Sequence, residues 1–272
     1  MSKAEKKAGA SGGIQSLEAA LHMLQAMAKR SGPISLSELA RDCRMPPSKV
    51  HRYLASFQHY GLVAQATRSG KYDLGPGAVT LGLAALARYD FVNRASEALP
   101  DLAAESGFTA LLSVWGDQGP TVIRWQRAAT PTITSMGLGT TFPLLNSATG
   151  RAFLAWAPPA PIKALRDTEL RRARQKPAIS PDLTPTNDGI DKLVGDIRAR
   201  GYASVDGKFI PGLVAIAAPI LDWQREAQAV VTLIGIEPTI IDQGSDAVRH
   251  LMAFCEEQSL AAIRGESVLR ER

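Results

Sequence analysis

The stretch PPSKVHRYL, residues Pro46 to Leu54, gathers side chains that could meet a nucleic acid. Ser48, Lys49, His51 and Arg52 can donate hydrogen bonds to phosphate oxygens or to base edges. They are interleaved with Val50, Leu54 and Phe57, which recur at i, i+4 and i+7. That spacing predicts a helix with an apolar inner face and with Ser48, Lys49, Arg52 and Ser56 on the outer one. Pro46 and Pro47 suit its first turn, where a missing N–H is not felt, and Gly61 suits its end. Ser37 lies in the segment before it, and Arg68 and Lys71 lie beyond it. The candidate DNA contacts are therefore Ser37, Pro47, Ser48, Lys49, His51, Arg52, Arg68 and Lys71. Lys49 and Arg52 could read guanine O6 and N7 or only hold phosphates, and spacing leaves both roles open. His51 is equally open, as a contact or as a packed surface histidine.

Charge is distributed in the same sense. Residues 1–75 hold 11 Lys and Arg against 5 Asp and Glu, a net +6, whereas the remainder holds 20 against 21, a net −1. A short basic module on a nearly neutral body is the electrostatic footprint of nucleic-acid binding. A basic membrane-surface helix would be continuous, and Pro33, Pro46 and Pro47 interrupt this one. The longest apolar run, GLVAIAAPIL (212–221), is too short to span a bilayer and reads as a buried strand. Cys43 and Cys255 are far apart, with no metal or redox spacing, which suits a reducing cytoplasm. Residues 1–13 read as a disordered leader.

The elements that must hold these side chains follow. Leu17, Ala20, Leu21, Leu24 and Met27 predict a first helix, with Ser16 as its N-cap and Ser31-Gly32-Pro33 as its stop. Ser35 and Glu38 have capping-box spacing and open a short second helix ending near Cys43. After the third helix, LVAQAT (62–67) and KYDL (71–74) read as two strands around Arg68-Ser69-Gly70. Three helices and a basic-tipped hairpin make a winged helix-turn-helix, whose third helix lies in the major groove. Leu81 to Phe91 reads as a linker helix that can also pair with its copy in a dimer.

The larger body alternates differently. A helix is expected at 94–106, and strands at 108–115, 120–126, 132–136, 202–205, 213–220 and 228–236. Further helices are expected near 148–156, 162–173, 187–200 and 243–264, with hairpin turns at 116–120 and 222–226. The expected class is α+β with a largely antiparallel sheet. The body contains no GxSxG, HExxH, Walker A loop or GxGxxG, and His250 is its only histidine. Catalytic residues, a metal site and a cofactor are not expected. Ser147, in NSATG, reads as a helix cap or a ligand contact. Of four tryptophans, Trp125 is the best placed to stack on an aromatic ligand.

The segments IQSLEAALHMLQAMA, SLSELARDCRMPPSKVHRYLASFQHYGLV and GKYDLGPGAVTLG resemble the DNA-binding half of the IclR-type bacterial transcriptional regulators. Downstream, PLLNSATGRAFLAW and DIRARGYASVDGKFIPGLVAIAAPILD resemble the family's other half, so the likeness covers about residues 14–265. It implies a winged helix-turn-helix at 14–75, a linker helix at 76–92, a GAF-like effector-binding domain at 93–265 and a tail at 266–272. It also implies double-stranded palindromic operator DNA and a small-molecule effector as partners, and a homodimer or dimer of dimers without membrane attachment.

The positions matching the family's ligand pocket are Met136, Leu138, Asn146, Ser147, Ala148, Val205, Leu213, Ala215, Thr232 and Ile234. Asn146 replaces a usual histidine, and Val214 and Ala215 replace the usual arginine and cysteine. Thr232 and Ile234 stand where binders of small acids carry two serines. Burying a carboxylate among so few donors would be costly. The expected effector is therefore an aromatic or hydroaromatic compound, with a small 2-oxo or carboxylic acid as the alternative. Repression relieved by ligand is the expected sign, with activation as its alternative.

Overall fold

The computed structural model describes residues 14–128, 136–207 and 210–260, and they form two compact units that divide between Tyr89 and Asp90. The first unit comprises α1 (Gln15–Ala28), α2 (Leu36–Asp42), α3 (Pro47–His59), β1 (Val63–Gln65), β2 (Tyr72–Leu74) and α4 (Pro76–Leu86). Its core joins Met23 and Met27 of α1, Leu39 of α2, Val50 and Leu54 of α3, and Ile34, Val63 and Tyr72. α1 departs from expectation twice. Ile14 occupies its cap position without a side-chain cap, so Ser16 is the second helical residue. Its packed stripe is Ala20, Met23 and Met27, whereas Leu17 and Leu21 are 53% and 49% exposed. A small alanine and two unbranched thioethers fill the irregular gap against α2 and α3 more readily than two γ-branched leucines.

The helix-turn-helix itself follows the residues closely. Ser35 Oγ accepts from the Glu38 N–H, and the Glu38 carboxylate accepts from the Ser35 N–H at 2.9 Å. The hydrogen bonds from Ser35 hold the Glu38 carboxyl below the usual range. Arg44, in the turn to α3, has φ 52, a left-handed conformation that costs a non-glycine residue about 1–2 kcal/mol. α3 starts at Pro47 and buries Val50 and Leu54. Gly61, at φ 69, turns the chain into β1. β1 and β2 pair antiparallel from Val63↔Leu74 to Gln65↔Tyr72, and Ile34 bridges Tyr72, tying the hairpin to the start of α2. α4 is shorter than the linker helix expected at 76–92. It ends at Leu86, and Phe91 and Val92 belong to α5, whose cap Asp90 accepts from the Asn93 N–H.

The second unit is a five-stranded antiparallel sheet with helices on both faces. Its strands are β3 (Thr109–Gly116), β4 (Gly119–Gln126), β5 (Ala203–Asp206), β6 (Val214–Leu221) and β7 (Ala227–Gly235), in the order β4-β3-β7-β6-β5. α5 (Phe91–Ser106) and α9 (Asp246–Gln258) cover one face, meeting Leu112, Ile216, Val231 and Leu233. α6 (Ala148–Trp156), α7 (Pro159–Gln175) and α8 (Asn187–Arg200) contribute to a second core with Ala217 and Val230. Because β6 is covered on both sides, its sequence VAIAAPIL is uninterruptedly apolar. The strand expected at 132–136 falls outside the described residues except for Met136, which is not in a strand. The leader 1–13 and tail 266–272 also lie outside them.

Candidate DNA-contacting face and effector cavity

On the first unit, Ser37, Pro47, Ser48, Lys49, His51, Arg52, Arg68 and Lys71 are all exposed. With Val50 and Leu54 buried, the helical turn leaves Ser48, Lys49 and Arg52 exposed on one surface of α3. With Ser16, Tyr53 and Ser56 they wall an open groove of about 620 Å³. The wing carries Arg68 and Lys71 in a turn closed by the Ala66 N–H donating to the Lys71 carbonyl. Local spacing places Ser56 on the outer face of α3 but does not assign Ser16 or Tyr53 to this groove, because α1 and α3 are brought together only by the core beneath them.

On the second unit, strand register builds a cavity. Val205, Ala215 and Ile234 pair across β5, β6 and β7 in one row, and Thr232 lies two residues along β7 on the same face. Met136, Phe142, Ile210, Leu213, the α6 cap Ser147 and the first-turn residues Ala148 and Thr149 complete the wall. The space left is about 30 Å³, which admits a water-sized molecule but no aromatic ring, so ligand entry requires side chains to move apart. Among the described residues, eight of the eleven that line it are apolar. The three polar ones are occupied. Ser147 Oγ donates to the Pro143 carbonyl at 2.6 Å and accepts from the Gly150 N–H at 2.9 Å, so it is the cap of α6. The hydroxyls of Thr149 and Thr232 bond each other at 2.8 Å.

Three expected pocket residues do not line the cavity. Leu138 is 69% exposed on a loop beside Gly139, turned to solvent. Trp125 pairs opposite Leu111 and packs in the small cluster of Leu111, Val122, Phe142 and Ile234, of which Phe142 and Ile234, but not Trp125, line the cavity. Asn146 is buried before the α6 cap, outside the cavity wall. Sequence reasoning missed Phe142, Thr149 and Ile210. Thr149 meets a residue 83 positions away, which no local pattern announces.

The loop leading into α6 is clamped from two sides. The Glu169 carboxylate on α7 accepts from the Leu144 and Leu145 N–H groups at 2.8 and 2.9 Å. Arg151, 2% exposed, donates Nε to the Leu145 carbonyl and both terminal nitrogens to Asp182. Burial raises the Glu169 carboxyl above its ordinary 4.5, opposed by the two backbone donors and by Arg172. Between the ordinary and the raised value the folded state binds more protons than the unfolded one. Stability should therefore fall as pH rises through that window. Melting temperature measured against pH should show this slope in the wild type and lose it in Glu169→Gln. A second prediction concerns the threonine pair. Thr232→Val keeps the shape but strands the Thr149 hydroxyl, at a cost of roughly 1–3 kcal/mol. The Thr149→Val/Thr232→Val double variant should recover part of that loss in denaturant titration.

A winged helix-turn-helix followed by a domain with an internal apolar cavity is the plan of a DNA-binding regulator that responds to a small molecule. The chain belongs to the IclR family of bacterial transcriptional regulators. Residues 83–258 match the family described as bacterial transcriptional regulator IclR C-terminal, and residues 16–67 match the IclR helix-turn-helix domain. It is 36% identical to the HTH-type transcriptional regulator BhcR of Paracoccus denitrificans, over 85% of this chain and 80% of that one. It is 29% identical to the transcriptional repressor IclR of Escherichia coli, over 86% and 85%. The crystal structure of Pseudomonas aeruginosa HmgR superposes with a TM-score of 0.78 at 31% identity, covering 95% of this chain and all of that one. Regulators of this family bind operator DNA and small-molecule effectors and are not enzymes. Among the described residues no helix is long and apolar enough to cross a membrane.

Proposed function

We propose that the chain represses a catabolic operon in the cytoplasm and is released from its palindromic operator by a small aromatic or hydroaromatic effector. The observation that carries the effector class is the cavity wall, apolar and with each lining hydroxyl already bonded to the protein itself. A ligand entering there gains apolar burial and finds few free donors, which favours a ring over a charged acid. The smallness of the cavity supports a switch, since the ligand must select an opened arrangement and so shift the population. A small 2-oxo or carboxylic acid remains a second reading for one reason. Ala148 and Thr149 stand in the first turn of α6, where backbone N–H groups lack helical acceptors and attract anions.

Dimer formation is supported by two exposed apolar surfaces. α4 buries no residue and presents Val79, Leu81 and Leu83, while α1 presents Ile14, Leu17 and Leu21. A second copy of the chain would cover them and would set two recognition helices about 34 Å apart. Thermal-shift titration with benzoate, phenol and a hydroaromatic acid beside glyoxylate and pyruvate tests the effector class. A ligand at a hundred times its Kd should stabilise the effector unit by about 2.7 kcal/mol, or roughly 5–10 °C. A shift with glyoxylate or pyruvate alone would replace the aromatic reading with the acid one.

A further inference from the structure

Helical position divides the α3 residues that line the groove on the DNA-binding unit into two sets. At about 100° per residue, Ser48 and Arg52 stand opposite the buried Val50, Leu54 and Phe57. Lys49 and Tyr53 lie round the flank that shares the groove with Ser16 of α1, and His51 lies on the other flank, outside the groove. Tyr53 is half-buried against the core, which fixes its ring. The Lys49 ammonium sits 5.9 Å from the centroid of that ring, so its stem is drawn to the α1 side. Ser56 lines the groove, but its hydroxyl donates back to the Arg52 carbonyl at 3.3 Å. Glu18, the acidic residue of the first turn of α1, lies about 200° round the helix from Ser16 and outside the groove wall. The groove thus offers an ammonium, a guanidinium and hydroxyls, with no carboxylate among the described residues that line it.

That set fits a singly charged phosphodiester, which takes several donors and repels carboxylates. We infer that the groove seats a backbone phosphate of DNA, held by Lys49 and the hydroxyls of Ser16 and Tyr53. Ser48 and Arg52, at the centre of the exposed arc, are then the pair directed at base edges. The inference rests on the DNA-binding reading and deepens it. A phosphate gripped between α1 and α3 sets the depth and rotation of α3 in the groove, so Lys49 positions while Arg52 reads.

The test uses the full-length protein and two duplexes of about 25 base pairs, read by fluorescence anisotropy over a range of KCl. One duplex is selected from a random pool by the wild-type protein, and the other is its scrambled counterpart. Lys49→Gln should weaken both by the same factor, about tenfold, and lower the logarithmic salt slope by about 1 per recognition helix. A repeat selection with Lys49→Gln should return the wild-type sequence. The Ser16→Ala/Tyr53→Phe double variant should weaken both duplexes roughly three- to tenfold without changing the slope, since no charge is lost. Unchanged melting curves show that the variants fold. If Lys49→Gln alters the selected sequence, or the double variant binds both duplexes like the wild type, the phosphate seat is wrong while DNA binding stands. If the wild type binds neither duplex, the DNA-binding reading falls and the seat with it.

Discussion

Arg52→Ala should lose about tenfold to a hundredfold in operator affinity per half-site while leaving the melting curve unchanged. The side chain is exposed and opposite the buried face of α3, so its removal opens no cavity and strands no partner in the core. A dimer carries two copies of the loss. Affinity for scrambled DNA should fall much less, because non-specific binding is a sum over phosphates to which each cation adds modestly. Anisotropy titrations on selected and scrambled duplexes measure both numbers. Equal losses on the two would make Arg52 a phosphate contact.

The largest expected effect on stability belongs to Gly150. A Cβ built there would stand 2.1 Å from the Pro143 carbonyl oxygen, 2.6 Å from Leu144 Cα and 2.8 Å from the Leu144 oxygen. All three are backbone atoms of the loop that Glu169 and Arg151 clamp, so no rotamer change relieves the contact. Gly150→Ala must therefore displace the loop or the start of α6, and the Ser147 cap bond to the Gly150 N–H goes with it. The cost should exceed about 3 kcal/mol, more than overpacking of a yielding core usually demands. For a unit of this size that lowers the melting temperature by roughly 6–12 °C. Since Ser147 and Ala148 line the cavity, effector response should be lost even where the chain still folds. A variant melting within about 2 °C of the wild type would mean that the loop is far softer than its hydrogen bonds indicate.

The features legible in the sequence are those set by local periodicity. Val50 and Leu54 define the inner face of α3 through 3.6-residue spacing, and Ser35 with Glu38 marks the start of α2. A period of two puts Thr232 and Ile234 on one face of β7, but Ala215 joins them only through the register of β6 with β7, and the resemblance to the family, not local spacing, points to all three. What escapes local reading is set by partners distant in the chain. Leu17 and Leu21 satisfy the helical pattern as well as Met23 does, and only the shape of α2 and α3 chooses between them. Leu138 is apolar, and nothing local says that its loop turns it to solvent. Ser147 and Thr232 have the chemistry of free anchors, but Gly150 and Thr149 occupy them in the fold. The groove between α1 and α3 exists only once two helices with α2 between them in the chain are packed together.

The most direct measurement is a DNase I footprint of the wild-type protein on the DNA adjoining its own gene, at about 50 mM and about 200 mM salt. Protection of two symmetry-related half-sites centred about 34 Å apart is expected, weakening steeply at the higher salt. Protection no stronger than on scrambled DNA at the lower salt would contradict a specific operator-binding regulator.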